Sequence, residues 1–169
     1  MTSDSSIKWV ENLAEQERLI FQGEKSSVDL TKTKEEVLAV STASFFRQLF
    51  NQFEYLSRLF NSHLADRGPG IRLDRENELF ESFALLRNAT RLFISGHRPG
   101  FVHVQCEKKL EGAGEMRSSV MFSGILEAKF ATFDEVQWFF LGSPVTAEQV
   151  ARHYLTEFLQ TSRDIQGLA

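Results

Sequence analysis

Phe101-Val102-His103-Val104-Gln105-Cys106-Glu107-Lys108 is the stretch whose reading decides the fold. Val102, Val104 and Cys106 alternate with His103, Gln105 and Glu107. An apolar residue at every second position marks a strand with one buried and one wet face. The same period begins at Arg91-Leu92-Phe93-Ile94-Ser95. It resumes over residues 117–130, where Val120, Phe122, Leu126, Ala128 and Phe130 share a face. Gly124 falls on that face too, which predicts a bulge or a close approach. Val136-Gln137-Trp138-Phe139-Phe140-Leu141 is apolar on both sides and reads as a central or doubly covered strand. Gly96-His97-Arg98-Pro99-Gly100 carries Pro and Gly in the order of a type II turn. Residues 109–116, with Gly112-Ala113-Gly114, read as a mobile loop. Connections this short favour hairpins over parallel crossovers. The expectation is an antiparallel meander of about four strands over residues 91–141.

Upstream the apolar period lengthens. Leu38, Phe46, Leu49, Phe53, Leu56 and Phe60 recur at three-four spacing, and Val37, Phe45, Phe50, Tyr55, Leu59 and Leu64 widen the stripe. Thr33 and Glu36 make a capping-box pair at its head, and Gly68-Pro69-Gly70 ends it. One long helix over about 33–65 follows, roughly 45 Å long at about 1.5 Å per residue. Its stripe is wider than a coiled-coil seam, so it packs on its own domain and keeps apolar surface to spare. Residues 7–22 read as a further helix stopped by Gly23, and 24–32 as a polar connector. Asp74 is placed to cap a short helix over 75–88, which Leu79, Phe80, Phe83 and Leu86 fit; the same residues also fit a buried strand. Thr146 and Gln149 form a second capping box, flanked by Val145 and Val150 at the staple positions. A C-terminal helix over 147–162 then buries Val150, Tyr154, Leu155, Phe158 and Leu159. The class is α+β, with helices on one face of the sheet, in a single domain over 1–169 whose residues 1–32 form an N-terminal helical extension.

Composition narrows the function. The 169 residues carry a net charge of -4, which argues against general nucleic-acid binding. No apolar run is long enough to span a membrane, and the polar start lacks a secretory signal, so a soluble cytoplasmic protein is expected. Cys106 is the one cysteine and has no disulfide partner within the chain. His103 and Cys106 have ligand spacing on paper, but three residues apart on a strand they face opposite ways. No G-x-S-x-G elbow is present, and Gly112-Ala113-Gly114 is followed by a strand pattern where a dinucleotide fingerprint needs a helix. Neither a catalytic constellation nor a cofactor signature emerges.

Two sets of residues remain. Arg87, Arg91, His97 and Arg98 make a candidate anion site. The spacing of Arg87 and Arg91 resembles the R-x-x-x-R of PilZ domains, β-barrels with a C-terminal helix; that resemblance implies a bound cyclic dinucleotide at these arginines. The family's second element, Asp or Asn followed by x-S-x-x-G, is not matched by Ser119 to Gly124. The other set comes from the 16 Phe against 2 Tyr and 2 Trp. Phe fills space without needing a hydrogen-bond partner. Phe45, Phe53, Phe122 and Trp138 therefore either fill the helix–sheet interface or line an apolar pocket for a small molecule. The favoured expectation is a non-catalytic protein-interaction or self-association module, meeting a protein partner or a second copy through the 33–65 helix.

Overall fold

A computed structural model describes residues 3–21, 27–75, 81–112 and 114–163. Two units are distinguished, Met1–Val37 and Leu38–Ala169. The elements run α1 (Ser3–Phe21), α2 (Ser27–Leu64), β1 (Arg72–Arg75), β2 (Ser82–Arg87), β3 (Thr90–Ser95), β4 (Phe101–Gly112), β5 (Glu115–Phe130), a short 3-10 turn (Thr132–Asp134), β6 (Val136–Phe140), β7 (Ser143–Pro144) and α3 (Ala147–Thr161). Among the described residues seven strands form one antiparallel meander in chain order. The α+β class expected from the sequence is what the chain adopts, with seven strands where about four were expected.

Register explains the core. Leu85, Leu92, Cys106 and Phe122 stand side by side across β2 to β5, as do Phe83, Ile94, Val104 and Gly124. Period-two alternation puts all of these on one face. That face meets α2, whose Phe46, Phe50 and Phe53 direct ring edges at Phe83 with centroids 5.2, 5.2 and 5.8 Å apart. α3 lies on the same face, and its Val150, Ala151, Tyr154, Leu155 and Phe158 join the same buried cluster. Each fully buried aromatic contributes about 1.5–3 kcal/mol relative to exposure.

Caps and turns fix the ends. Thr146 Oγ1 accepts from Gln149 N at 3.2 Å while Thr146 N donates to Gln149 Oε1 at 2.9 Å, the reciprocal box expected for α3. Phe101 N donates to Arg98 O at 3.0 Å and Gly100 has φ 84°, so residues 98–101 form the type II turn. α2 ends where Ala65 and Asp66 take positive φ, and Asn61 clamps the returning chain by two hydrogen bonds to the Ile71 backbone.

Four expectations are corrected. α2 starts at Ser27, so Thr33 lies inside the helix; no Gly or Pro stands between 27 and 33 to interrupt it. Within 75–88 the described part is strand, because Phe83 and Leu85 alternate with Ala84 and pair along β3; Glu76, Glu78, Leu79 and Phe80 fall outside the described residues, as does Gly23. Over 109–116 the described residues extend β4 and β5 as a hairpin ribbon, with pairing as far as Gly112 and Glu115. β6 is the second strand from the sheet edge, beyond it only the two-residue β7. The doubly apolar look of β6 comes from Trp138 packing inward while Phe139 lies beneath the Lys129 ammonium at 5.5 Å.

The long β5 carries a bulge. The register slips between Cys106 and Glu107, which face Phe122 and Val120, leaving Met121 as the extra residue. Val120 therefore leaves the buried face that Phe122 keeps and is 56% exposed. Gly124 is the close approach that its position predicts: a Cβ there would collide with Tyr154 Oη of α3.

Candidate functional site: the uncovered face of the sheet

The four anion-site candidates are separated by the sheet. Arg87 shares the inner face with Phe83 and Leu85, whereas Arg91 lies one residue out of step with Leu92 and faces outward. Arg87 fastens the end of α3: its Nε donates to Pro69 O at 3.0 Å, and its Nη1 to Ser162 Oγ at 3.0 Å and Leu159 O at 3.4 Å. Burial, and secondarily Arg163, lower its pKa from the usual arginine value. Asn88 and Lys108 donate to Ser162 O and Thr161 O, so three side chains satisfy carbonyls at this helix terminus. Arg91 lies over the Phe93 ring at 4.9 Å. His97 and Arg98 belong to the turn at the far end of β3, roughly 20 Å along the strand at about 3.3 Å per residue. There His97 Nδ1 meets Glu81 Oε2 at 3.0 Å, and Arg98 covers Phe101 at 4.5 Å.

The apolar-pocket candidates lie on the inner face and touch other rings. Phe45 is stacked on Trp138, with centroids 4.4 Å apart and planes 8° from parallel. Phe53 meets Phe83, and Phe122 stacks on Tyr154 at 6.0 Å. The polar tips of this layer are buried: Trp138 Nε1 and Tyr154 Oη have no hydrogen-bond partner among the described residues. Burial pushes the Tyr154 phenol up to about 12. Cys106 is fully buried on the same face, and burial, then Glu107, push its thiol up to about 12, which keeps it in the inert neutral form.

Neither of two clefts found among the described residues is lined by Phe45, Phe53, Phe122 or Trp138. The smaller, about 230 Å³, lies between the first turns of α2 after Leu38 and the β3–β4 turn, walled by Thr42, Phe46, Glu81 and His97. Thr42 Oγ1 accepts there from Gly100 N at 2.8 Å and donates to Leu38 O at 2.7 Å. The larger, about 640 Å³, lies on the outer face, the side opposite α3 and the part of α2 in this unit. Phe93, Ser95, His103, Gln105, Ser123, Ile125 and Leu141 surround it. These residues come from β3, β4 and β5 and from the bend that follows β6, where Leu141 and Gly142 have φ 50° and 79°. Its volume falls in the range of ligand sites, and its lining mixes apolar side chains with a few polar groups. Ser95 is only 7% exposed and stands directly opposite His103, yet no hydrogen bond joins them among the described residues. Gln105 Nε2 is held by Glu107 Oε1 at 2.6 Å.

Nothing in the residue pattern singles out this outer cleft. The alternation marks His103, Gln105 and Ser123 as wet-face residues, but a wet face reads as plain solvent surface. The helix over 7–22 is legible in the sequence as a helix, but the exposure of its apolar residues is not. Ile7, Trp9, Val10, Leu13, Ile20 and Phe21 are all exposed, from 38% to 95%. No helix of the described residues is long and apolar enough to cross a membrane. No protein-family model, curated protein or solved structure matches the chain.

Proposed function

We propose that the chain is a non-catalytic protein-interaction module that self-associates through its N-terminal helix. One observation carries this reading: apart from the half-buried Leu19, the large apolar residues of α1 that the structure describes fall on one broad stripe, and that stripe is exposed along its length. Lone helices of this length are marginal in water, and most helical stability in proteins comes from packing an apolar face. A second copy offers the same stripe, so α1 against α1 buries both at once in a self-complementary contact. The 33–65 helix supports a smaller share of the interface. Its middle is committed to the sheet, but Val40, Tyr55 and Leu59 remain 71%, 62% and 42% exposed.

The other readings of the sequence have less behind them. A pocket for an apolar small molecule among Phe45, Phe53, Phe122 and Trp138 needs space where those rings touch their neighbours. A cyclic dinucleotide gripped by Arg87 and Arg91 needs two side chains that leave opposite faces of the sheet.

Sedimentation equilibrium on the full chain tests the proposal. The expected result is a dimer that the double variant Val10→Glu, Leu13→Glu converts to a monomer with an unchanged thermal transition of the sheet unit. A strict monomer for the unsubstituted chain at high concentration overturns self-association.

A further inference from the structure

β5 pairs with β4 over most of its length, from Glu115 to Glu127, but with β6 only over Glu127–Phe130. Among the described residues, therefore, no strand pairs with the side of β5 away from β4 from residue 115 to 126. Backbone direction can be read from one bond. Ala128 N donates to Gly100 O on the β4 side. In an antiparallel ladder the groups of alternate residues point the same way, so Leu126, Gly124 and Phe122 also turn toward β4, and Ser123 and Ile125 turn to the free side. Beyond the bulge Lys109 N donates to Ala89 O, so Lys108 faces Ser119, and Val120 and Ser118 turn to the free side. Ser118, Val120, Met121, Ser123 and Ile125 are exposed. The run Ser118-Ser119-Val120-Met121-Phe122-Ser123-Gly124-Ile125-Leu126 contains no charge and no proline.

We infer that the free edge of β5, with the outer cleft beside it, binds an extended, uncharged peptide segment of a partner protein by strand addition. Unpaired N–H and C=O groups on a sheet edge are satisfied by a strand laid along them, whatever its sequence, and flanking pockets select alternate side chains. Other sheet edges are blunted by length: β1 has four residues and β7 two. The free run of nine residues is roughly 30 Å long at about 3.3 Å per residue. At its Leu126 end it opens into the cleft bounded by Ile125, His103 and Leu141. A side chain of the added strand lying opposite Ser123 or Ile125 enters that cleft, where Phe93, Ile125 and Leu141 offer apolar contact and Ser95 and Ser123 offer hydroxyls. A charged side chain finds no counter-charge along the run.

A second copy is a poorer occupant. Antiparallel pairing of the run with itself sets Ser118 of one copy opposite Leu126 of the other. Arg117 and the remainder of that copy's ribbon then fall where β6 pairs with Glu127. A peptide that ends at Leu126 meets no such obstacle.

The test uses the full chain labelled with ¹⁵N and a synthetic peptide of sequence Ser-Ser-Val-Met-Phe-Ser-Gly-Ile-Leu, free of the ribbon. Expected are shifts and slowed exchange of the Ser118, Val120, Ser123 and Ile125 amides, with Phe122, Gly124 and Leu126 little changed. Ile125→Lys weakens binding about tenfold or more, by setting a charge on the edge. Ser123→Pro removes a free-edge donor without touching the β4 ladder and weakens it as well. Val10→Glu, Leu13→Glu leaves peptide binding intact, so this inference stands or falls apart from self-association through α1. No response of those amides, a response without the alternation, or an unaffected Ile125→Lys variant overturns it. Concentration-dependent broadening of the same amides without peptide overturns it in favour of a second copy at the edge.

Discussion

Gly124→Ala is the sharpest probe of how α3 sits on the sheet. A methyl group at this position would collide with Tyr154 Oη and lie 3.2 Å from Tyr154 Cζ and 3.3 Å from Phe140 Cε2. Tyr154 is 2% exposed and stacked on Phe122, so the ring has little room to withdraw. Overpacking of this kind costs about 1–3 kcal/mol. The worst contact is with the hydroxyl alone, and that hydroxyl has no hydrogen-bond partner among the described residues. Tyr154→Phe therefore removes an uncompensated buried polar atom, of a kind that costs about 1–3 kcal/mol to leave unpaired, and is expected to be neutral or stabilising by itself. In the Tyr154→Phe background Gly124→Ala meets only the two ring-carbon contacts and costs under about 1 kcal/mol. The double-mutant cycle should then return a favourable coupling of about 1–2 kcal/mol. Urea unfolding followed by tryptophan fluorescence measures it, and the single Gly124→Ala variant should melt about 4–8 °C lower for a loss of about 2 kcal/mol. Equal costs of Gly124→Ala in the two backgrounds would refute the close approach of α3 to β5.

Arg87→Met leaves carbonyls at the end of α3 without their donor and should cost about 1.5–3 kcal/mol by urea unfolding; Arg87→Lys, which lacks the fork, restores only part. Thr146→Ala removes the side-chain acceptor of the α3 capping box, keeping the backbone N–H that Gln149 Oε1 accepts, and should cost about 1 kcal/mol, with faster amide exchange confined to the first turn of the helix. Cys106 and Tyr154 have folded pKa values pushed to about 12 from ordinary values of 9.0 and 10.0, so both are held neutral in the fold. Their contribution is fully present below about pH 9 and is lost as the pH rises toward about 12, because only the unfolded chain releases those protons. The urea midpoint should fall steadily from about pH 9 upward, less steeply in Tyr154→Phe, and a thiol reagent should modify Cys106 only as fast as the protein opens.

The elements that could be read from the sequence are those whose signals are local. Thr146 and Gln149 start α3 because each satisfies the other's backbone, a three-residue affair. Pro99 and Gly100 make their turn for the same reason, and the alternation through Val102, Val104 and Cys106 needs no knowledge of the neighbours. Residues 82–87 were ambiguous because Leu79, Phe80, Phe83 and Leu86 have helical spacing by coincidence; the ladder to β3 settles them, and a ladder is a long-range fact. The stretch over 109–116 looks like a loop because it is charged and glycine-bearing, yet pairing across the hairpin makes its described residues strand as far as Gly112 and Glu115. The outer cleft was hidden for a related reason. Its wet-face residues show in the alternation, but the space among them depends on the point where β6 turns away at Leu141, a backbone event. The arginine grouping failed differently: a cluster in sequence that straddles a β-turn is dispersed by the pleat, as Arg87 and Arg91 are.

The extra residue at Met121 acts as a phase shifter. Odd and even positions exchange faces across it, so the order of polar and apolar residues in the ribbon is decoupled from the order that builds the core. Side chains on either side of position 121 can change while the fold keeps its buried rows. Deleting Met121 would leave Phe122 opposite Cys106 and Val120 opposite Glu107, so every face would be kept and only the local bend of β5 lost. At this point of the chain the extra residue sets the course of the strand, and its neighbours set the faces.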